Sequence, residues 1–224
     1  MLAAVIFDFD GTIADTVPAI REGVNRTMRL FGYPEHSRED ILRFINNGAR
    51  ELIRRAMPEE DRGDAGQVDR VLAEYDRQYG EVCLHTRHAY AGVPELIAGL
   101  HEAGMRVGVL SNKQDSLVRR LTAQVLRPGS YDAAQGVYPG APAKPDPFLP
   151  HRLADALGVP PAACALVGDS DVDIAAAANS GMLHIGVTWG YRDETFLRDH
   201  GARLLAHTPH ELAALLKTLE GPAC

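Results

Sequence analysis

A short run of apolar residues, Ala3-Ala4-Val5-Ile6-Phe7, leads directly into Asp8-Phe9-Asp10-Gly11-Thr12. The run is too brief for a secretion signal and has the content of a buried strand. Two carboxylates, two positions apart, therefore stand where a buried strand ends. Like charges that close resist being ionised together, and burial adds to the cost. Such an arrangement usually persists because a cation, a reaction or both use it. Gly11 supplies backbone freedom for close approach to a ligand. Asp-Gly is also an ordinary turn after a strand, so the rest of the chain has to decide between the two readings.

After this strand the pattern turns helical for a long stretch. Pro18 to Leu30 reads as a helix with Ile20, Val24, Thr27 and Met28 on one side and Arg21, Glu22 and Arg26 toward solvent. Phe31-Gly32-Tyr33-Pro34 stops it. Ser37 and Asp40 form a capping signal for a helix that begins with Ile41, Leu42, Phe44 and Ile45. Asn46-Asn47-Gly48 interrupts, Ala49 to Met57 resumes helical spacing, and Val68 to Tyr79 makes one more helix. No strand is convincing between about residues 16 and 88, so this segment is expected to be an all-helical insertion.

From Pro94 onward strand and helix alternate. Buried runs are predicted at Arg106–Leu110, Tyr131–Val137, Ala163–Val167, Leu183–Val187 and Ala202–Leu205. Helices are predicted at Glu95–Ala103, Ser116–Val125, Phe148–Leu157, from Asp169 to Asn179, and at Glu211–Leu219. This alternation argues for a parallel sheet with right-handed crossovers, and ligands on such sheets bind beyond the carboxyl ends of the strands. The expected class is α/β: a Rossmann-like core from residues 1–15 and 89–224, with helices on both faces, and a helical domain over residues 16–88.

The 224 residues suit one such domain plus an insertion, and 46% hydrophobic content is enough for a sizeable core. A formal charge of -7 argues against a nucleic-acid-binding surface, and no apolar run is long enough to span a membrane. Cys83, Cys164 and Cys224 are scattered and odd in number, suggesting neither a disulfide framework nor a zinc site. These features predict a soluble, cytoplasmic protein.

At the strand ends, Asp8 and Asp10 close the first strand, Ser111 a second and Asp169 a third. Lys144 lies in Ala143-Lys144-Pro145-Asp146-Pro147, where the prolines limit backbone freedom. Asp173 follows Asp169 by one helical turn. Four acids, a lysine and a hydroxyl suit a divalent cation plus a phosphoryl group. Magnesium takes a few carboxylates together with waters and substrate oxygens. Lys144 and the Ser111 hydroxyl can bind phosphoryl oxygens, with backbone amides of Phe9, Gly11 and Asn112 completing the cradle. Asp169, Asp171 and Asp173 superficially resemble a calcium loop, but Ile174 and Ser180 stand where glycine and glutamate are needed. No Gly-x-x-x-x-Gly-Lys-Ser/Thr run is present, which removes the P-loop nucleotidases.

Together these segments resemble the haloacid dehalogenase (HAD) superfamily of phosphatases, with four motifs in order. They are Asp8-Phe9-Asp10-Gly11-Thr12, Leu110-Ser111-Asn112-Lys113, Lys144-Pro145-Asp146-Pro147 and Gly168-Asp169-Ser170-Asp171-Val172-Asp173. The helical insertion falls where this group carries a cap domain. Within the superfamily the likeness is to phosphoglycolate phosphatases, through Asn47-Gly48-Ala49-Arg50-Glu51-Leu52, Val167-Gly168-Asp169-Ser170 and Thr188-Trp189-Gly190-Tyr191. Asn46 departs from that group, standing where the cap loop commonly has the first glycine of Gly-Asn-Gly. The resemblance implies Mg2+-dependent hydrolysis of a small phosphorylated metabolite, with 2-phosphoglycolate as first choice. It implies Asp8 as nucleophile forming an aspartyl-phosphate, Asp10 as acid and base, and magnesium held by Asp8, the Asp10 carbonyl and Asp169, with Asp173 acting through a water or orienting the others. Asn46, Asn47 or Arg50 would meet the organic half of the substrate, Arg50 as a carboxylate clamp. A monomer or homodimer is expected. The alternatives are a phosphatase for sugar phosphates or nucleotides, a phosphosugar mutase, a dehalogenase (disfavoured by Asp10), and a receiver-like signalling domain (disfavoured by the insertion).

Overall fold

The computed structural model describes residues 1–45, 47–86 and 88–219. The chain divides into two compact units, one of Met1–Asp15 with His88–Cys224, the other of Thr16–Arg87. His88 thus falls with the first unit.

The first unit is a six-stranded sheet. Its strands are β1 (Ala4–Phe7), β2 (Arg106–Gln114), β3 (Ala133–Val137), β4 (Cys164–Gly168), β5 (Leu183–Val187) and β6 (Leu205–Ala206). They pair in the order β3-β2-β1-β4-β5-β6, every pair parallel. The chain leaves β1 to build one side of the sheet, then returns past β1 to build the other. That reversal opens a crevice at the carboxyl ends of β1 and β4, where Asp8 and Asp169 follow their strands.

Side-chain alternation assigns the layers. Ala4, Ile6, Leu110, Cys164 and Leu166 form one cluster with Leu149, Leu153, Ala154 and Leu157 of one helix (Phe148–Leu157) and Ala176 and Ala177 of another (Asp171–Ser180). Gly108, on this face, would drive a Cβ toward Leu153 and Leu157, so the first of these helices packs close upon β2. The opposite face carries Val109 and, across β3, Gly136, which abuts Val118 of the helix Asp115–Val125. Helices therefore cover both faces, as the uninterrupted apolar strands require.

The second unit is helical throughout its described residues, with α1 (Val17–Leu30), α2 (Arg38–Phe44), α3 (Gly48–Ala56) and α4 (Ala65–Val82). The apolar side of α1 is buried as its spacing predicts, and Gly23 lets α1 meet α4 at Tyr79. Asn25 clamps the turn after α1 by donating to the His36 carbonyl (3.0 Å) and accepting from the His36 amide (2.8 Å). Ser37 and Asp40 form the expected capping box of α2. The remaining helices belong to the first unit: α5 (Val93–Glu102), α6 (Asp115–Val125), α7 (Phe148–Leu157), α8 (Asp171–Ser180), α9 (Glu194–Asp199) and α10 (Pro209–Leu219). Among the described residues no helix is long and apolar enough to cross a membrane.

His184 of β5 pairs in register with Leu166, and neither of its buried ring nitrogens has a hydrogen-bond partner. Burial pushes its pKa down to about 4. The unfolded chain protonates this imidazole below its ordinary value of 6.5, while the folded protein resists until about 4. Its contribution to stability is therefore full above pH 6.5 and is lost as pH falls toward 4. Urea unfolding of the wild type and His184→Leu at pH 6.5, 5.5 and 4.5 should show the variant losing less stability over that interval, by about 2 kcal/mol. Parallel losses in the two proteins would refute this.

Candidate active site

Asp8 is buried beyond the end of β1, and its amide extends the sheet by donating to the Val167 carbonyl (2.8 Å). The loop then closes on itself. Ile13 and Ala14 amides donate to the Phe9 carbonyl (3.0 and 3.1 Å), and the Gly11 amide donates to the Ala14 carbonyl (2.9 Å). The expectation that the Gly11 amide joins an anion cradle is thereby corrected, since the turn itself uses that donor. What Gly11 contributes is a φ of +85° and the lack of a side chain, because a Cβ there would overlap the Asp169 carboxylate. Phe9 anchors the loop through a fully buried ring.

Asp169 follows β4 and lies between two glycine backbones, since a Cβ on Gly190 would also strike its carboxylate. Thr12 Oγ1 donates to Asp169 Oδ1 (3.3 Å), and the Tyr191 amide donates to Oδ2 (2.6 Å). Trp189 Nε1 donates to the Thr12 carbonyl (3.0 Å), tying the two flanking loops together. One turn further on, Asp173 lies in the first turn of α8. Ser170 caps that helix by accepting from the Asp173 amide (3.3 Å) while donating to its Oδ2 (2.6 Å). Gly168 leaves room for the Asp173 carboxylate.

Lys144 joins these strands' ends. Its Nζ lies 2.7 Å from Asp8 Oδ1, 2.6 Å from Asp173 Oδ1 and 3.3 Å from the Leu110 carbonyl, and its side chain is buried. The lysine's own backbone is held by Asn112, whose side chain donates to the Lys144 carbonyl (2.9 Å) and accepts from its amide (2.7 Å). Asn179 donates to the Pro145 carbonyl (2.9 Å).

Ser111 does not end its strand as expected. β2 runs on to Gln114, with an irregularity between Leu110 and Gln114 in its pairing to β3. This extension carries Ser111 and Lys113 together. Ser111 Oγ donates to Asp10 Oδ2 (3.1 Å), and Lys113 Nζ lies 3.1 Å from Asp10 Oδ1. Lys113, Thr12, Trp189 and Tyr191 lie in segments that carry the family resemblance, but the sequence alone gives them no site role. For Lys113 the signal was available, because residues two apart on an extended chain share a face.

The structure thus brings together Asp8, Asp10, Ser111, Asn112, Lys144, Asp169 and Asp173. In the helical unit the outcome differs. Arg50 is paired with Asp69 of α4, and both side chains are more than half exposed. Asn47 is exposed at the start of α3, and Asn46 lies outside the described residues.

The family model of haloacid dehalogenase-like hydrolases matches residues 5–187. The chain belongs to this family. It is 31% identical to a phosphoglycolate phosphatase of Aliivibrio fischeri over 84% of each chain. It is 30% identical to one of Synechococcus elongatus, covering 94% of this chain and 95% of that one. A crystal structure from Lactobacillus delbrueckii subsp. bulgaricus, provisionally assigned as a phosphoglycolate phosphatase, superposes with a TM-score of 0.88 at 31% identity, covering 96% of this chain and 98% of that one. Membership of the hydrolase family removes the receiver-like alternative.

The charge balance of this HAD-family site suits a divalent cation. Ligand atoms of Asp8, Asp169 and Asp173 lie within 4.8 Å of one another, and they are hard oxygen donors of the kind magnesium prefers. Counting Asp10, four carboxylates face two ammonium groups, Lys113 and Lys144, leaving a formal excess of two negative charges. Burial raises the pKa of Asp8 well above its usual range; Lys144 opposes this, and Asp173, Asp10 and Asp169 add to it. Asp169 is pushed up to about 7 by burial and by Asp173, against the Tyr191 amide, Thr12 and Lys144. Burial pulls the Lys144 ammonium down, but Asp173 and Asp8 more than offset that and hold it charged. A proton at Asp169 competes with a cation below pH 7. Calorimetric titration with Mg2+ should therefore show roughly tenfold tighter binding at pH 8 than at pH 6, with proton release at the lower pH. Equal affinities would contradict this account.

Proposed function

We propose that this HAD-family hydrolase cleaves small phosphomonoesters with Mg2+, and that 2-phosphoglycolate is its preferred substrate. The observation that carries the reading is the separation of its two motif carboxylates. Asp8 stands with Asp169, Asp173 and Lys144, whereas Asp10 stands apart with Ser111 and Lys113. One carboxylate is thus suited to attack and the other to move protons.

Asp8, Asp169 and Asp173 would hold the magnesium, which when bound neutralises charge on the phosphoryl oxygens. An Asp8 oxygen attacks phosphorus as the ester P–O bond breaks, giving an aspartyl-phosphate. Lys144 orients Asp8 from one side and favours its ionised form. Asp10 gives its proton to the departing alkoxide, then accepts one from the water that attacks the intermediate. Phosphate leaves and the Asp8 carboxylate is restored. Ser111 holds Asp10, and Asn112 holds the Lys144 loop. The 16–88 segment is proposed as a cap that excludes water during the reaction and contributes Asn47 to substrate selection. The preference for 2-phosphoglycolate is supported by relatives of that name at about 30% identity over most of both chains.

Phosphate release should be measured across a panel of phosphorylated metabolites with Mg2+. The expected result is turnover with 2-phosphoglycolate leading in kcat/KM, and a loss of at least about a thousandfold in Asp8→Asn. Normal turnover in that variant would sink the mechanism. Higher efficiency on a sugar phosphate or nucleotide would replace the substrate while leaving the reaction intact.

A further inference from the structure

We propose that Lys113 binds the carboxylate of the substrate's leaving group. The proposal rests on the phosphoglycolate reading and names the residue that would produce that preference. The chain contains only three lysines, and two of them, Lys113 and Lys144, lie at the acidic site. They serve different carboxylates. Lys144 is committed to Asp8 and Asp173, with the Leu110 carbonyl completing three contacts for its three donors. Lys113 stands at Asp10, the carboxylate outside the group that can hold a cation.

Position follows from chemistry. A proton donor for the leaving oxygen must come within about 3 Å of it in the reacting complex. Lys113 Nζ is 3.1 Å from Asp10 Oδ1, so a leaving oxygen that reaches Asp10 comes into the neighbourhood of this ammonium. In a phosphorylated 2-hydroxy acid the carboxylate is attached to the carbon bearing the leaving oxygen. It therefore falls within reach of a cation that flanks Asp10. An ammonium with three donors can hold Asp10 and a substrate oxygen together. The side chain is 9% exposed, so an ion pair made there is less screened than one on the surface. Ser111 donates to the other Asp10 oxygen (3.1 Å), so the two residues engage different oxygens of Asp10. Arg50, the expected clamp, pairs with Asp69. The simpler alternative is that Lys113 only neutralises Asp10. In that case its loss would weaken all phosphomonoesters alike.

Binding of two inert analogues separates these readings without requiring turnover. 3-Phosphonopropionate keeps the carboxylate of 2-phosphoglycolate and replaces the ester oxygen by carbon; propylphosphonate lacks the carboxylate. Calorimetry with Mg2+ should show the wild type preferring 3-phosphonopropionate by at least tenfold. Lys113→Met should lose that preference, the two analogues then binding within threefold of each other, and Lys113→Arg should regain part of it. Thermal melting checks that both variants are folded. A preference that survives in Lys113→Met, an equal loss on both analogues, or no preference in the wild type would each overturn the proposal. Failure of the phosphatase reading would register separately, as absence of phosphate release from the metabolite panel.

Discussion

Lys144 reaches from a proline-framed loop to within 2.7 Å of Asp8 and 2.6 Å of Asp173, and much of the carboxyl edge of the sheet is arranged around that contact. It spans β1, through Asp8, and the first turn of α8, through Asp173. Burying these groups is costly, and removing one partner of such a cluster leaves an uncompensated charge worth about 3–5 kcal/mol. The surrounding polar bonds supply the geometry that makes the burial tolerable. Asn112 fixes the lysine's backbone at both its carbonyl and its amide, Asn179 fixes Pro145, and Ser170 fixes Asp173. The lysine supplies one positive charge to an acidic cluster that needs more, and this shortfall makes the site receptive to an added cation.

Close packing at the site depends as much on missing atoms as on present ones. Gly11 and Gly190 meet Asp169, and Gly168 meets Asp173, at separations that leave no room for a Cβ. Gly11 and Gly168 lie within the acidic motifs, so there the sequence brings together the charged groups and the space they occupy, whereas Gly190 reaches Asp169 from the loop after β5. The sheet order explains why the two strands bearing Asp8 and Asp169 are neighbours although more than 150 residues separate them.

Most of the architecture was legible because it rests on apolar periodicity. β5 and α7 fall where their residue patterns put them, and Ser37 with Asp40 announces α2. The parts that escaped are those governed by tertiary pairing. β2 continues through Ser111, Asn112 and Lys113, polar residues that would pass for a loop, because Gln114 pairs again with Val137. β6 is two residues long and lies at Leu205–Ala206, where its partner Val187 can reach it. The helix Glu194–Asp199 is too short to show a period, although Asp193 caps it. At the site, the motif acids, Ser111 and Lys144 were legible as residue types in order along the chain. The pairing of Lys113 with Asp10 and the donation from the Tyr191 amide to Asp169 required the folded backbone. The pairing of Arg50 with Asp69 likewise depends on how α3 meets α4.

The setting of Asp169 has a kinetic consequence. One of its oxygens accepts from Thr12 and the other from the Tyr191 amide, while glycine backbones crowd it from two sides. The carboxylate therefore has little rotational freedom left to surrender. An ion bound there would meet an oxygen already aimed, and its loss would not set the carboxylate loose. Little reorganisation would then accompany exchange of a cation, and the loops would not have to be rebuilt each time.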